Sequence, residues 1–326
     1  MKKKIISTIA MCLVLAGVMQ GNSVAAKTTE FNKTKIGMSP NEDSIPMSIG
    51  SDGNICIYQY EDDGYDATND EYYYNIRKYT WDGNSTEMSA KIYECHDQMV
   101  NYAEEIENGE KTIVVSDIEK YKYRLKTYNK EGEVIADIED RFYNKKDGSI
   151  HIHDLVIKNN KIYYAYSRYD TINKKLVQHT YIRCIDSKTG KVIYNKLLGE
   201  SDNFDAVKMN DERVYMIEGD MVKSYILNGK KEVTYKLPKV KRRFRQSIAL
   251  DGKYLYYTNG KNGIYRCNIN KPKKGFSLYY NTKKDSNFNK KKFYDFYVKD
   301  NNTFFVRFME GVEDYGDPTL VIKYSR

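Results

Sequence analysis

The sequence predicts an all-β chain, a six-bladed β-propeller, from three observations. A unit of about 50 residues recurs six times, and each copy joins an Asn/Asp/Gly turn to a Tyr- and Ile-rich run. A second hairpin signal follows in most copies, so each unit holds four short strands. Helical periodicity is absent, and Pro is scarce at 5 of 326 residues. Repeats of this period with four strands per unit suit propeller blades. Seven blades is the alternative count, and an open sandwich the alternative architecture.

The elements follow in chain order. The turns are Asp52-Gly53, Asn108-Gly109, Asn159-Asn160, Asn210-Asp211, Asp251-Gly252 and Asp300-Asn301. Before them stand short inner strands, expected at 155–158, 206–209, 247–250 and 296–299. After them come the runs 55–60, 112–116, 162–166, 214–217, 254–258 and 304–308, apolar or aromatic on both faces. Two-sided strands belong where a sheet is covered on both sides, and Tyr fits because its ring packs while its hydroxyl reaches an edge. Third strands end at Trp81-Asp82-Gly83, 129–132, 187–190, Leu227-Asn228-Gly229 and 270–275, and fourth strands close most units. The last unit stops at its third strand, 320–324. Residues 28–36 are expected to supply the fourth and so to close the ring.

Residues 1–26 read as a signal peptide. Lys2, Lys3 and Lys4 precede an apolar stretch from 5 to 18, and Ser23-Val24-Ala25-Ala26 offers a cleavage site. The stretch is short for a membrane span, and Val18 stands where a lipidated Cys would be. Residues 27–326 are then one exported propeller domain, secreted or wall-associated, with no transmembrane segment. Losing three lysines lowers the formal charge from +8 to about +5, which favours anionic envelope polymers. Balancing acidic loops and export leave no nucleic-acid partner. Of the four remaining Cys, Cys184 and Cys267 occupy one repeat position in different blades, too far apart to bond. Cys56 and Cys95 have nothing that requires them to pair, and all four read as inert buried thiols.

At Asp251-Gly252-Lys253-Tyr254-Leu255-Tyr256-Tyr257-Thr258-Asn259 and Gly263-Ile264-Tyr265-Arg266 the chain resembles the domain of unknown function 5050 family. These are exported propeller-like repeats of low-GC Gram-positive bacteria, in the style of the six-bladed propellers of the low-density lipoprotein receptor. Residues 184–192, Cys-Ile-Asp-Ser-Lys-Thr-Gly-Lys-Val, are similar to quinoprotein-like repeats. The first resemblance implies a fold and no activity. The second implies no quinone here, because such blades carry a docking Trp per repeat and this chain has only Trp81.

One constellation stands ahead of the inner strands. A ring followed by Asp recurs as His153-Asp154, Phe204-Asp205 and Tyr294-Asp295, and blade five has Arg245-Gln246. At a channel mouth Asp154, Asp205 and Asp295 would hold a cation or a polyhydroxylated ligand, with Phe204 and Tyr294 as stacking faces. The structural alternative is that each Asp accepts backbone N–H groups where the chain enters its blade. Arg243 and Arg245 lie in a basic stretch that would grip a phosphate, sulfate or uronate. His151 and His153, two apart on a strand, would form a transition-metal site with His96. The acidic stretches 61–71 and 310–317 would attract Ca²⁺ but lack the EF-hand ligand order. No resident cofactor is expected, and no catalytic residue is assigned, since nucleophile elbows and phosphate loops are missing. The expected function is non-catalytic binding of a protein or an envelope polymer through one face. The alternative is a carbohydrate-active lyase or glycoside hydrolase at the channel mouth, its carboxylates drawn from different blades.

Overall fold

The computed structural model describes residues 31–36, 48–49, 55–60, 73–79, 85–93, 101–107, 110–119, 122–129, 133–140, 149–172, 175–201, 206–239, 246–309 and 319–326. All of them lie in one compact unit, Phe31–Arg326. Strand β1 is Asn32–Ile36. Strands β2 to β5 are Ser48–Ile49, Ile55–Tyr60, Tyr73–Tyr79 and Ser85–Tyr93, and β6 to β9 are Asn101–Glu107, Glu110–Glu119, Lys122–Tyr128 and Val134–Asp140. Strands β10 to β13 are Ser149–Lys158, Lys161–Ile172, Lys175–Asp186 and Val192–Ser201. Strands β14 to β17 are Val207–Met209, Arg213–Glu218, Met221–Ile226 and Lys231–Lys236. Strands β18 to β21 are Ser247–Leu250, Tyr254–Thr258, Ile264–Asn268 and Ser277–Tyr280. Strands β22 to β24 are Lys292–Asp300, Thr303–Met309 and Thr319–Ser325.

These strands form six four-stranded sheets, five of them in simple chain order: β2–β5, β6–β9, β10–β13, β14–β17 and β18–β21. The sixth runs β22-β23-β24-β1, with β1 antiparallel to β24 and Lys35 opposite Ile322. The first strands are spatial neighbours in succession: β6 with β10, β10 with β14, β14 with β18, β18 with β22, and β22 with β2.

Turn chemistry explains the spacing. Asn159 and Asn160, between β10 and β11, both have positive φ, 52° and 56°, the backbone that a two-residue hairpin matched to strand twist requires. Elsewhere the Asx side chain holds the turn. The Oδ1 of Asn210 accepts the Glu212 and Arg213 N–H groups, and that of Asp251 accepts those of Lys253 and Tyr254. Each oxygen replaces a backbone acceptor, so an Asn or Asp at this place specifies the bend.

The core lies between sheets. In β15, Val214 and Met216 pack toward β10–β13, while Tyr215 and Ile217 pack toward β18–β21. In β19, Leu255 and Tyr257 face β14–β17 and Tyr256 faces the sixth sheet. With side chains alternating across a strand, a sheet covered on both faces needs apolar residues at every position. Tyr also pins successive sheets at their rims. The Tyr194 hydroxyl donates to the Leu227 carbonyl, and that of Tyr235 donates to the Ile269 carbonyl at 3.2 Å. Both acceptors stand one residue beyond a third strand, so the pin repeats with the unit.

Two expectations need correction. The inner strands were expected to start after the ring–Asp pairs, yet β10 begins at Ser149 and β22 at Lys292. A register shift between Ile152 and Asp154, and another between Phe293 and Asp295, let each strand continue through the pair. His153 and Tyr294 are the extra residues of these bulges. Helical structure also exists in short pieces, the helix α1 (Ser286–Lys290) and 3₁₀ turns at Pro272–Lys274 and Thr282–Lys284. The second hairpin signal at 270–275 therefore contains a 3₁₀ turn. None is long enough to give a sequence period, and Asp285 caps α1 by accepting the Asn287 N–H at 2.9 Å.

Candidate functional site

Of the candidates named from sequence, the structure describes His151, His153, Asp154, Tyr294 and Asp295. His96, Phe204, Asp205, Arg243, Arg245 and the acidic stretches 61–71 and 310–317 lie outside the described residues, as do Cys95 and the Cys56 side chain. Cys184 and Cys267 are free and buried, and burial pushes both thiols up.

Asp154 works as a clasp between sheets. Its Oδ2 accepts the Met209 N–H at the end of β14, at 2.8 Å, and its Oδ1 accepts the Leu155 N–H at 3.1 Å. Asp295 is used differently. Its Oδ2 accepts the Tyr297 hydroxyl at 2.8 Å and the Arg307 Nη2 at 3.3 Å. The Arg307 guanidinium also lies 3.9 Å from the centre of the Tyr294 ring, so this ring face is covered rather than offered to a ligand. Burial and the neighbouring Asp295 carboxylate push the Tyr297 phenol far above its usual range.

The two imidazoles meet, with ring centres 4.7 Å apart and edge to face. His153 Nε2 lies 2.6 Å from Ser167 Oγ, which is 2.9 Å from Thr180 Oγ1 and accepts Gln178 Nε2 at 2.9 Å. A His–Ser pair at this distance has the form of a nucleophile and its base. Ser167, however, is fully buried and Gln178 and Thr180 occupy its oxygen, so the pair holds β10, β11 and β12 together. Burial lowers the pKa of His151. Burial, then the charges of His151 and Lys208, hold His153 well below the usual imidazole range. Among the described residues no three metal-ligating side chains converge.

This depression has a pH consequence. The unfolded chain takes up protons on these residues near pH 6.5, while the folded chain resists until lower pH. Stability present above about pH 6.5 should fall with pH at roughly 1.4 kcal/mol per unit for each site, until the folded pKa is reached. Chemical denaturation between about pH 7.5 and 5 checks this, and His151→Gln/His153→Gln should flatten the slope.

Three residues with a place in this region escaped the sequence reading. Lys208 is the charged residue of β14, Tyr297 receives its side chain, and Arg307 neutralises Asp295. The odd lysine in Ala206-Val207-Lys208-Met209 is the signal that marks the first. Away from the inner strands, an open groove of about 790 Å³ runs between β17 and the Pro272–Lys274 turn. Lys236, Lys239 and Lys273 line it with Glu232 as the one acidic lining residue. The exposed large apolar side chains among the described residues sit on fourth strands: Val134 and Ile135 on β9, Val192, Ile193 and Leu197 on β13, and Leu278 on β21. No described helix is long and apolar enough to cross a membrane.

Solved structures of similar shape include the β-propeller domain of Cps50 (Swd1) from Myceliophteria thermophila. It is 10% identical with TM-score 0.50, over 91% of this chain and 99% of that one. The Pan2 WD40 domain of Neurospora crassa is 9% identical with the same TM-score, over 90% and 95% of the two chains. No family model and no curated protein matches the sequence. At such low identity the likeness shows the fold: the chain is an all-β β-propeller.

Proposed function

We propose that the six sheets are the blades of one ring, closed by β1 beside β24. We further propose that the protein is an exported, non-catalytic propeller that binds a protein or a cell-envelope polymer through one face. The observation that carries the non-catalytic reading is the use of the recurring carboxylates. Asp154 is engaged by two backbone N–H groups, and Asp295 by Tyr297 and Arg307. Both carboxylates are tied to donors of the protein itself, whereas hydrolysis of a glycosidic bond asks for a carboxylate pair free to meet the substrate. The basic residues Lys2, Lys3 and Lys4 and the apolar stretch from 5 to 18 support export. The net positive charge and the lysine-lined groove support an anionic partner.

Asp154→Ala tests this reading. The Met209 N–H loses its acceptor, and an unsatisfied buried donor costs about 1–3 kcal/mol. Thermal stability should fall while binding of the folded variant to isolated Gram-positive cell walls stays unchanged. Lost binding with unchanged stability would move Asp154 into the ligand site.

A further inference from the structure

Where the sheet β18–β21 meets the sixth sheet, six side chains form a ladder in which cations and rings alternate. Lys253 Nζ lies 5.5 Å from the centre of the Tyr254 ring, and the Arg266 guanidinium lies 4.7 Å from the same centre. Arg266 is also 5.1 Å from the centre of the Tyr279 ring, which the Arg326 guanidinium approaches to 5.3 Å. Phe31 ends the ladder, 4.5 Å from Arg326. The turn between β22 and β23 ties it down. The Asn301 carbonyl accepts the Tyr279 hydroxyl at 3.0 Å, and the Asn302 carbonyl accepts the Arg326 backbone N–H at 3.0 Å.

A guanidinium stacked by its face keeps its N–H groups free in the plane, and stacking sets the fork before a ligand arrives. Less side-chain entropy is then lost on binding. Arg266 Nη1 donates to Asn301 Oδ1. Neither guanidinium has a carboxylate within ion-pair distance among the described residues. The nearby carboxylates are used otherwise. Asp251 accepts the Lys253 and Tyr254 N–H groups and the Tyr256 hydroxyl, and Asp300 accepts the Asn302 N–H at 2.7 Å. The corner therefore offers fork geometry rather than excess charge. Lys253 and Arg326 are exposed, so a ligand reaches the ladder from solvent.

We propose that Arg266 and Arg326, with Lys253 beside them, form a seat for the oxyanion groups of an anionic envelope polymer, its phosphates or its uronate carboxylates. A row of cations spaced by rings suits a ligand that repeats its charge better than a single small anion. The natural source of the polymer rests on the binding reading above. The seat itself is testable with defined polymers.

Equilibrium titration of the purified chain with polyphosphate and with polygalacturonate, at fixed ionic strength, tests the seat and separates the two sources. Saturable binding of at least one is expected. Arg266→Lys/Arg326→Lys keeps both charges and loses both forks. It should weaken binding about tenfold or more, since one charge-assisted hydrogen bond is worth that much. Lys236→Gln/Lys239→Gln, which strips charge from the groove at β17, should leave affinity unchanged. Equal affinity in a folded Arg266→Lys/Arg326→Lys variant would overturn the proposal, because general attraction then suffices. So would an absence of saturable binding to either polymer, or a loss confined to the groove variant. If the double arginine variant does not fold, Arg326→Lys alone decides, because that side chain is exposed. Weaker binding supports the seat, and unchanged binding overturns it. A chain that binds cell walls yet ignores both polymers would remove this site and leave the binding reading standing.

Discussion

Replacing Arg183 with Met should cost about 3–5 kcal/mol, the usual penalty for stripping one partner from a buried ion pair. Arg183 on β12 grips Asp140 on β9 with two parallel bonds, Nε to Oδ2 at 2.7 Å and Nη2 to Oδ1 at 2.6 Å. The Tyr164 hydroxyl donates to the same carboxylate. All three residues are buried in the seam between β6–β9 and β10–β13. Burial and the adjacent carboxylate drive the Tyr164 phenol far up, so it stays a donor at any ordinary pH. Without Arg183, the Asp140 charge remains in a low-dielectric seam with one hydroxyl for company. The double variant Asp140→Leu/Arg183→Met should lose less than the single one, because no charge is then stranded. Urea denaturation of both variants checks this, and a single variant within about 1 kcal/mol of the wild type would show the pair to be solvated.

A second large loss is expected at Phe31. Its ring packs edge to face on Tyr279 at 5.7 Å, Tyr280 at 5.5 Å and Phe304 at 5.1 Å, with the Arg326 guanidinium 4.5 Å from its centre. This cluster anchors β1 across β24 and against β21 of the preceding sheet. Next to it, Asp285 accepts from Tyr280 at 2.5 Å and pairs with Lys33 at 3.1 Å. Burial pushes the Asp285 carboxyl up, but bonds from Tyr280 and the Asn287 N–H outweigh it and hold the group below its usual range. Phe31→Ala should cost about 3–5 kcal/mol, as for other buried aromatics. Removal of residues 1–36 should do more, because it leaves β24 as a bare edge beside an opened aromatic cluster. A truncated chain that melts at the wild-type temperature would show β1 to be dispensable.

The fold was legible where chemistry is local. Asn159-Asn160, Asn210 and Asp251 announce their bends because positive φ or an Asx oxygen is needed at the bend itself. The two-faced runs in β15 and β19 announce sheets covered on both sides. Residues 28–36 were expected to supply a fourth strand because the last unit lacked one, and within them Asn32–Ile36 form β1 beside β24. The site was less legible because its relations are long-range. Asp154 can be seen to recur, but not to reach Met209 in another sheet. The bulges at His153 and Tyr294 move both pairs into the body of their strands, and no residue type announces a bulge there. Lys208 meets the Tyr297 ring across two sheets that are not neighbours in sequence.

The central claim is that this propeller binds and does not cut. Co-sedimentation with isolated Gram-positive cell walls at low and high salt, with soluble reducing ends assayed in the supernatant, tests it most directly. The account predicts binding that persists in part when salt screens the charges, with no release of sugar. Release of reducing ends that grows with time would contradict it and return the Asp residues of the inner strands to a catalytic role.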